Sequence, residues 1–268
     1  MARVKQLDRI TGSIGKLSFY TRKGSDEIFV RTKGGATRSQ IKRRPEFEMV
    51  RRNNKEFGGC SKMSREIRAT FAQLAHVADY NLAPVLCSVA KNIQKGDEVN
   101  PLGERSIRLS QFRQYLYGFD FNRITRFESI LRIPLQCRID RSTCEATLYI
   151  PSFACSMALY IPGKFSLFRI AVALGVATDF QLDDRKQGYE PTYYRNHTGY
   201  KTEYSPWYST QATVPEQQIK LNVTNPDIKF RDDDTYILSI AIEFGTLDAF
   251  GNPVAIKHAG AGKILGVG

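Results

Sequence analysis

Two glycine-rich stretches, "GSIGKLS" (12–18) and "HAGAGKIL" (258–265), have the texture of loops that cradle phosphate. Such a loop needs G-x-x-x-x-G-K-[ST], so that backbone N–H groups ring the phosphate and the lysine reaches it. The first stretch has two residues between its glycines; the second has Lys257 in place of the leading glycine and Ile264 after the lysine. Both read instead as strand and turn glycines. Metal and disulfide chemistry fare no better. The five cysteines (Cys60, Cys87, Cys137, Cys144, Cys155) follow no C-x-x-C spacing, and His76, His197 and His258 lie far apart. Reduced, mostly buried thiols are expected, not zinc ligands or a disulfide framework. Asp183-Asp184 and Asp232-Asp233-Asp234 lack the alternating spacing of a calcium loop and are expected in solvated turns. No Ser/His/Asp or Cys/His group stands at a recognisable spacing. The chain is expected to be non-enzymatic, with no cofactor, no metal and no evident small-molecule substrate.

Two populations of side chains are more informative. Residues 38–68 gather Arg38, Lys42, Arg43, Arg44, Arg51, Arg52, Lys55, Lys62, Arg65 and Arg68. Of these, Arg38, Lys42, Arg43, Arg44, Arg51, Arg52 and Lys55 are candidates for phosphate contacts, which would give salt-sensitive, sequence-independent binding of nucleic acid. The competing reading is a solvated helix face partnered by Glu46, Glu48, Glu56 and Glu66, or contact with an acidic patch of a neighbouring subunit. Later, "YEPTYYRNHTGYKTEYSPWYS" (189–209) holds the single tryptophan among many tyrosines. Tyr and Trp are enriched where proteins meet, so Tyr193, Tyr194, Tyr200, Tyr204, Trp207 and Tyr208 are candidates for an interface loop. A loop folded over its own domain is the alternative.

The elements that must carry these residues follow from periodicity. Leu17 and Phe19 on one side of "RKGSDE", and Ile28 and Val30 on the other, alternate with period two, with Gly24 available for a left-handed turn position. This is a β-hairpin, and an isolated hairpin is marginal in water. A helix is expected from Pro45 to Gly58-Gly59, with Phe47, Val50 and Phe57 on one face. Ile67, Phe71, Leu74 and Ala78 mark a second helix, Leu82, Val85, Val89 and Ile93 a third, and Leu109, Phe112 and Leu116 a fourth. From about residue 119, short runs rich in Val, Ile, Phe and Tyr are separated by Pro, Asn, Asp and Gly, the texture of antiparallel strands. The fold class is therefore α+β: a basic β-hairpin arm (1–36), a short helical segment (37–118) and a C-terminal antiparallel β-sandwich (119–268).

Charge follows the same division. Of the net +12, residues 1–130 carry 25 Lys+Arg against 13 Asp+Glu, while residues 131–268 carry 14 against 14. The N-terminal "MARVKQLDRI" has no apolar core of a signal peptide, and no apolar run reaches the roughly 18 residues of a membrane helix. The expected setting is cytoplasmic, or a particle assembled there, with no membrane partner.

Three stretches, "GSIGKLSFYTRKG…VRTKGG", "RRNNKEFGG" and "IPSFACSMALYIPGKFSLFRIAVA", together resemble an uncharacterised family of Bacteroidota proteins, often present in several copies per genome. Its members share an N-terminal G-[TS]-I-G-x-x-[ST]-F-Y ribbon and an R-x-N-x-x-E-F-G helix end. The resemblance implies this organisation and weighs against a familiar enzyme class. A marginal hairpin ahead of a self-sufficient domain suits pairing with another copy. The leading expectation is thus a structural subunit that self-assembles into a tube, filament or shell, as coat or phage-tail-like proteins do, with Leu17, Phe19, Ile28 and Val30 as the assembly arm. The alternative is a nucleic-acid-binding protein working through residues 38–68. An adhesin-like module using the tyrosine segment ranks third.

Overall fold

The structure, a computed structural model, describes residues 3–6, 9–22, 27–183, 185–186, 188–193, 199–223 and 231–268. Chain contacts divide it into two compact units, 1–51 and 52–268. These do not coincide with the three expected segments, because the helices after residue 52 share a core with the strands.

In the first unit, β1 (Arg3–Gln6), β2 (Arg9–Ile14), β3 (Leu17–Thr21) and β4 (Ile28–Thr32) form an antiparallel meander in that order. The expected hairpin is β3–β4, in the register Leu17↔Thr32, Phe19↔Val30 and Thr21↔Ile28. Its turn, including Gly24, lies outside the described residues. Strands β1 and β2, which sequence periodicity did not reveal, extend the ribbon to four strands. Then come α1 (Arg38–Arg43), a short 3-10 turn at Pro45–Phe47 and the start of α2 (Glu48–Ala69). Thr37 caps α1 by accepting the Gln40 N–H, and the Gln40 side chain returns a bond to the Thr37 N–H, a reciprocal box that satisfies two orphan donors.

Helix α2 does not stop at Gly58-Gly59 as expected. It runs through both glycines to Ala69, burying Glu56, Gly59, Cys60, Met63, Ser64 and Ile67, and it leaves Phe57 exposed. Glycine inside a helix costs about 1 kcal/mol relative to alanine, and tertiary packing explains its presence: a Cβ on Gly59 would lie 2.5 Å from the ring of Tyr189. The second expected helix is a 3-10 segment, Ala72–Val77, and the fourth is a single 3-10 turn, Arg113–Leu116. The third is a full helix, α3 (Leu82–Lys95), capped by Asn81. Its buried stripe is Leu82, Leu86, Ala90 and Ile93, one position on from the Val85 and Val89 expected.

Short α4 (Phe127–Ile130) leads to β5 (Gln136–Asp140), β6 (Glu145–Ile150), β7 (Phe153–Ala154) and α5 (Cys155–Ala158). There follow β8 (Leu167–Thr178), β9 (Phe180–Asp183), β10 (Gly188–Pro191), β11 (Tyr200–Tyr204), β12 (Tyr208–Ser209), β13 (Thr213–Val214) and β14 (Gln217–Asn222). A long hairpin closes the chain, β15 (Asp234–Leu247) with β16 (Pro253–Val267). The main antiparallel sheet has the order β11-β8-β15-β16, with β12 also on β8, and a smaller sheet has the order β14-β6-β5.

The pleat of β8 explains the layering. Phe168, Ile170, Val172, Leu174 and Val176 join Ala146, Leu148, Ile150 and Leu221 of the small sheet in one core. Ala171, Ala173 and Ala177 face the other way, into a second core with Met63, Ile67, Phe71, Leu74, Leu86 and Phe121. A strand buried on both faces reads as a continuous apolar run, which is how "LFRIAVALGVAT" reads. The side facing the second core is built of small residues so that the turn after α2 can approach. A Cβ on Gly175 would meet the Thr70 Cβ at 2.5 Å and its Cα at 2.6 Å. Gly175→Val is expected to destabilise the second unit by about 1–3 kcal/mol through overpacking. A urea titration checks this, and an unchanged midpoint would show that the turn at Thr70 yields freely.

Candidate assembly surface and basic segment

The four arm candidates lie on one face of the N-terminal sheet. Pairing places Leu17 beside Ile14 and Phe19 beside Gly12 and Val30, so Ile10, Ile14, Leu17, Phe19, Ile28 and Val30 share that side. All six are apolar, and none is buried. Ile14 and Val30 are each 53% exposed and Leu17 is 41% exposed. Of residues 10–22 and 27–51, none is buried. Ile10 and Ile14 escaped the sequence reading because their strand is interrupted by small and polar residues. Their signal was the i, i+2, i+4 spacing of Ile10, Gly12 and Ile14.

The opposite face is chemically different. Tyr20 lies directly across from Phe29, with ring centroids 5.8 Å apart and planes at 28°. The Arg22 guanidinium sits 4.3 Å from the centre of the Phe29 ring, and that of Arg31 sits 5.6 Å from the Tyr20 ring.

The basic candidates do not form one row. Arg38, Lys42 and Arg43 lie on α1, and Arg44 closes it. Arg51 is used internally, its Nη1 donating to the carbonyls of Ile41 and Arg44, both at 2.8 Å. Arg52 and Lys55 fall in the second unit, where the Arg52 stem packs against Gly103; a Cβ there would lie 2.9 Å from it. Further along, Lys62 donates to the Tyr189 carbonyl (2.7 Å) and Glu190 (2.8 Å). Charge is nonetheless concentrated in the first unit, with 13 Lys+Arg against 5 Asp+Glu, while residues 52–268 hold 26 against 22.

The tyrosine segment is not the long loop expected. Its residues form β10, β11 and β12, and β11 pairs with β8 through Tyr200↔Gly175 to Tyr204↔Ala171. Strand β11 sits at the sheet edge, and its own residues Tyr200–Tyr204 show no apolar alternation, so hydrogen bonding to β8 decides the conformation. Tyr193 donates to Asp234 at 2.8 and 3.0 Å, Tyr208 rests on Phe168, and Tyr204 and Trp207 cover the Arg169 guanidinium at 4.1 and 4.8 Å. Tyr200 and Tyr204 keep 44% and 40% exposure. Tyr194 lies outside the described residues, as does Asp184. Asp234, expected in a solvated turn, is fully buried at the start of β15.

Two charged clusters were not legible in sequence. In one, fully buried Glu243 pairs with Arg169 at 2.7 Å and with His76 Nε2 at 3.2 Å, while His76 Nδ1 meets the Gln73 carbonyl at 2.8 Å. The hydrogen bond to Glu243 raises the His76 pKa above its usual 6.5, against burial and the repulsion of Arg169. A raised folded-state pKa means the imidazolium contributes full stability below about pH 6.5, and loses it as pH rises through the folded value. The melting-temperature gap between wild type and His76→Gln should therefore be wider at pH 6 than at pH 9. A gap independent of pH would show that the ion pair contributes nothing.

The other cluster centres on Glu56, held by Arg105, Lys91 and the Gly103 N–H. Both clusters read as structural ion networks: their carboxylates are fully buried, and the thiol that adjoins the Glu56 cluster, Cys60, which bonds to Gln94 at 3.4 Å, has its pKa pushed up to about 12 by burial. Four of the five cysteines are buried and none is in a disulfide. Among the described residues, no group of three or more His, Cys, Asp or Glu is placed to hold a metal ion, and no helix is long and apolar enough to cross a membrane. Comparison with protein-family models, with curated proteins and with solved structures gives no match to this chain.

Proposed function

We propose that the protein is a non-enzymatic structural subunit that assembles with copies of itself, into a tube, filament or shell, through its N-terminal sheet. The observation that carries this reading is the face formed by Ile10, Ile14, Leu17, Phe19, Ile28 and Val30. Apolar side chains ranked on one side of a sheet lose free energy to water, about 25 cal/mol per Å². A ribbon that buries none of residues 10–14, 17–21 and 28–32 gains little of that back alone. A second copy supplies the missing cover. Because β1 and β4 are edge strands, strand addition to a neighbour's sheet is open as well. A head-to-tail contact of this kind propagates unless its rotation closes a ring. The test is the mass of the purified full-length chain by size-exclusion light scattering, without nuclease treatment, with the 260/280 nm absorbance ratio recorded across the peak. A many-subunit particle with a protein-like ratio is expected; a monomer near 30.4 kDa overturns the reading.

The second reading is sequence-independent nucleic-acid binding through the basic segment, favoured by the exposed Arg38, Lys42, Arg43 and Arg44 on and beside α1. Phosphate contacts weaken steeply with salt, whereas apolar association does not. The two readings are compatible, since a coat can enclose nucleic acid.

A further inference from the structure

We infer that the other face of the N-terminal sheet, carrying Tyr20, Phe29, Arg22 and Arg31, is a stacking platform for single-stranded nucleic acid. The inference does not rest on self-assembly, and it uses residues outside the basic segment. Three observations meet there. Two aromatic rings stand together on adjacent strands, 5.8 Å apart with their planes at 28°. Each is covered by an arginine, Arg22 on Phe29 and Arg31 on Tyr20, and the neighbouring position on that face is Ser18, opposite Arg31. The surrounding unit has a large positive excess, 13 Lys+Arg against 5 Asp+Glu.

Single strands are bound without sequence preference by aromatic rings on which bases stack, beside cations that follow the phosphates. Both parts are present within two strands. An exposed cation–π contact is weaker than base–aromatic stacking, so a base can take the ring face while the displaced guanidinium turns to a phosphate. Duplex DNA has its bases already stacked and offers the platform only charge. The aromatic pair therefore selects single strands, as a uniformly basic surface would not.

The experiment measures fluorescence anisotropy of the full-length protein with labelled oligo-dT and oligo-rU of roughly 20 nucleotides, long enough for several contacts, against a duplex of equal length. Single strands are expected to bind more tightly than duplex. Phe29→Leu and Tyr20→Leu, which keep apolar strand formers, should each weaken single-strand binding about tenfold and leave duplex binding little changed. Replacing Arg38, Lys42, Arg43 and Arg44 by Gln should weaken both nucleic acids alike. Ultraviolet crosslinking of the wild-type complex, which needs no variant to fold, should place dT on the peptide containing Tyr20 or Phe29. Equal affinity for duplex, crosslinks confined to residues 38–68, or binding to phosphatidylserine vesicles with none to oligonucleotide would each overturn the platform. Particle mass is recorded on the same samples; Tyr20 and Phe29 point away from the apolar face, so an intact particle with lost single-strand affinity separates this site from the assembly surface.

Discussion

Replacing Phe19 and Val30 together by Asp is expected to take the full-length protein from a many-subunit particle to a species near its protomer mass of 30.4 kDa. The two side chains are cross-strand neighbours on the apolar face. Each apolar side chain buried at a contact contributes about 1.5–3 kcal/mol, so losing both weakens each contact by roughly a hundredfold to ten-thousandfold. A buried, unpaired carboxylate adds to that cost. Removing residues 1–36 should have the same effect on mass. The second unit should keep its thermal transition in both variants, because its two cores contain no residue before Cys60. Light scattering and a thermal melt on the same preparation decide the matter. A particle of unchanged mass would remove this face from the assembly.

The largest stability effect is expected at Glu56. Its carboxylate is fully buried and receives two bonds from Arg105, Nε at 2.8 Å and Nη2 at 2.7 Å, together with Lys91 and the Gly103 N–H at 2.8 Å. The network reaches further. Gln94 and Tyr189 both donate to the Arg105 carbonyl, at 3.0 and 2.8 Å, so α2, α3, the loop before residue 107 and β10 are tied at one point. Burial alone would raise the Glu56 pKa, but the bonds from Arg105, Lys91 and Gly103 outweigh it and bring the value from 4.5 to about 2. A depressed folded-state pKa gives stability that is present above about pH 4.5 and is lost as pH falls toward 2, about 3 kcal/mol in all. Removing the carboxylate leaves Arg105 and Lys91 without their partner, and breaking a buried pair from one side costs about 3–5 kcal/mol. Glu56→Ala should therefore lower unfolding free energy by an amount in that range at pH 7, with a much smaller difference at pH 2.5. Denaturant unfolding at the two pH values tests it, and equal losses at both would assign the effect to packing instead.

How much of this was legible in sequence depended on the range of the interaction. The hairpin was readable from Leu17, Phe19, Ile28 and Val30 because alternation across a strand is a local property. The α+β class and the long β8 and β15 runs were readable for the same reason. Helix α2 was misread at Gly58-Gly59 because the partner that makes Gly59 necessary, Tyr189, is remote in the chain. The tyrosine segment was misread because β11 is an edge strand whose side chains carry no alternation, and only its ladder to β8 makes it a strand. Asp234 looked like a turn residue, yet it is fully buried and accepts from the Tyr193 hydroxyl.

Composition and short-range pattern thus determined the mixed architecture, the basic front, the β3–β4 pairing and the absence of a recognisable catalytic spacing. Tertiary structure decided the rest. It placed Ile10 and Ile14 beside the four arm residues, put Tyr20 and Phe29 back to back with them, and gathered Glu56, Lys91 and Arg105 from three separate segments. Periodicity is fixed by the geometry of a single strand or helix and survives in the sequence. Which faces meet, and which charge is buried with which, depends on chain closure over long separations, and no local spacing encodes it.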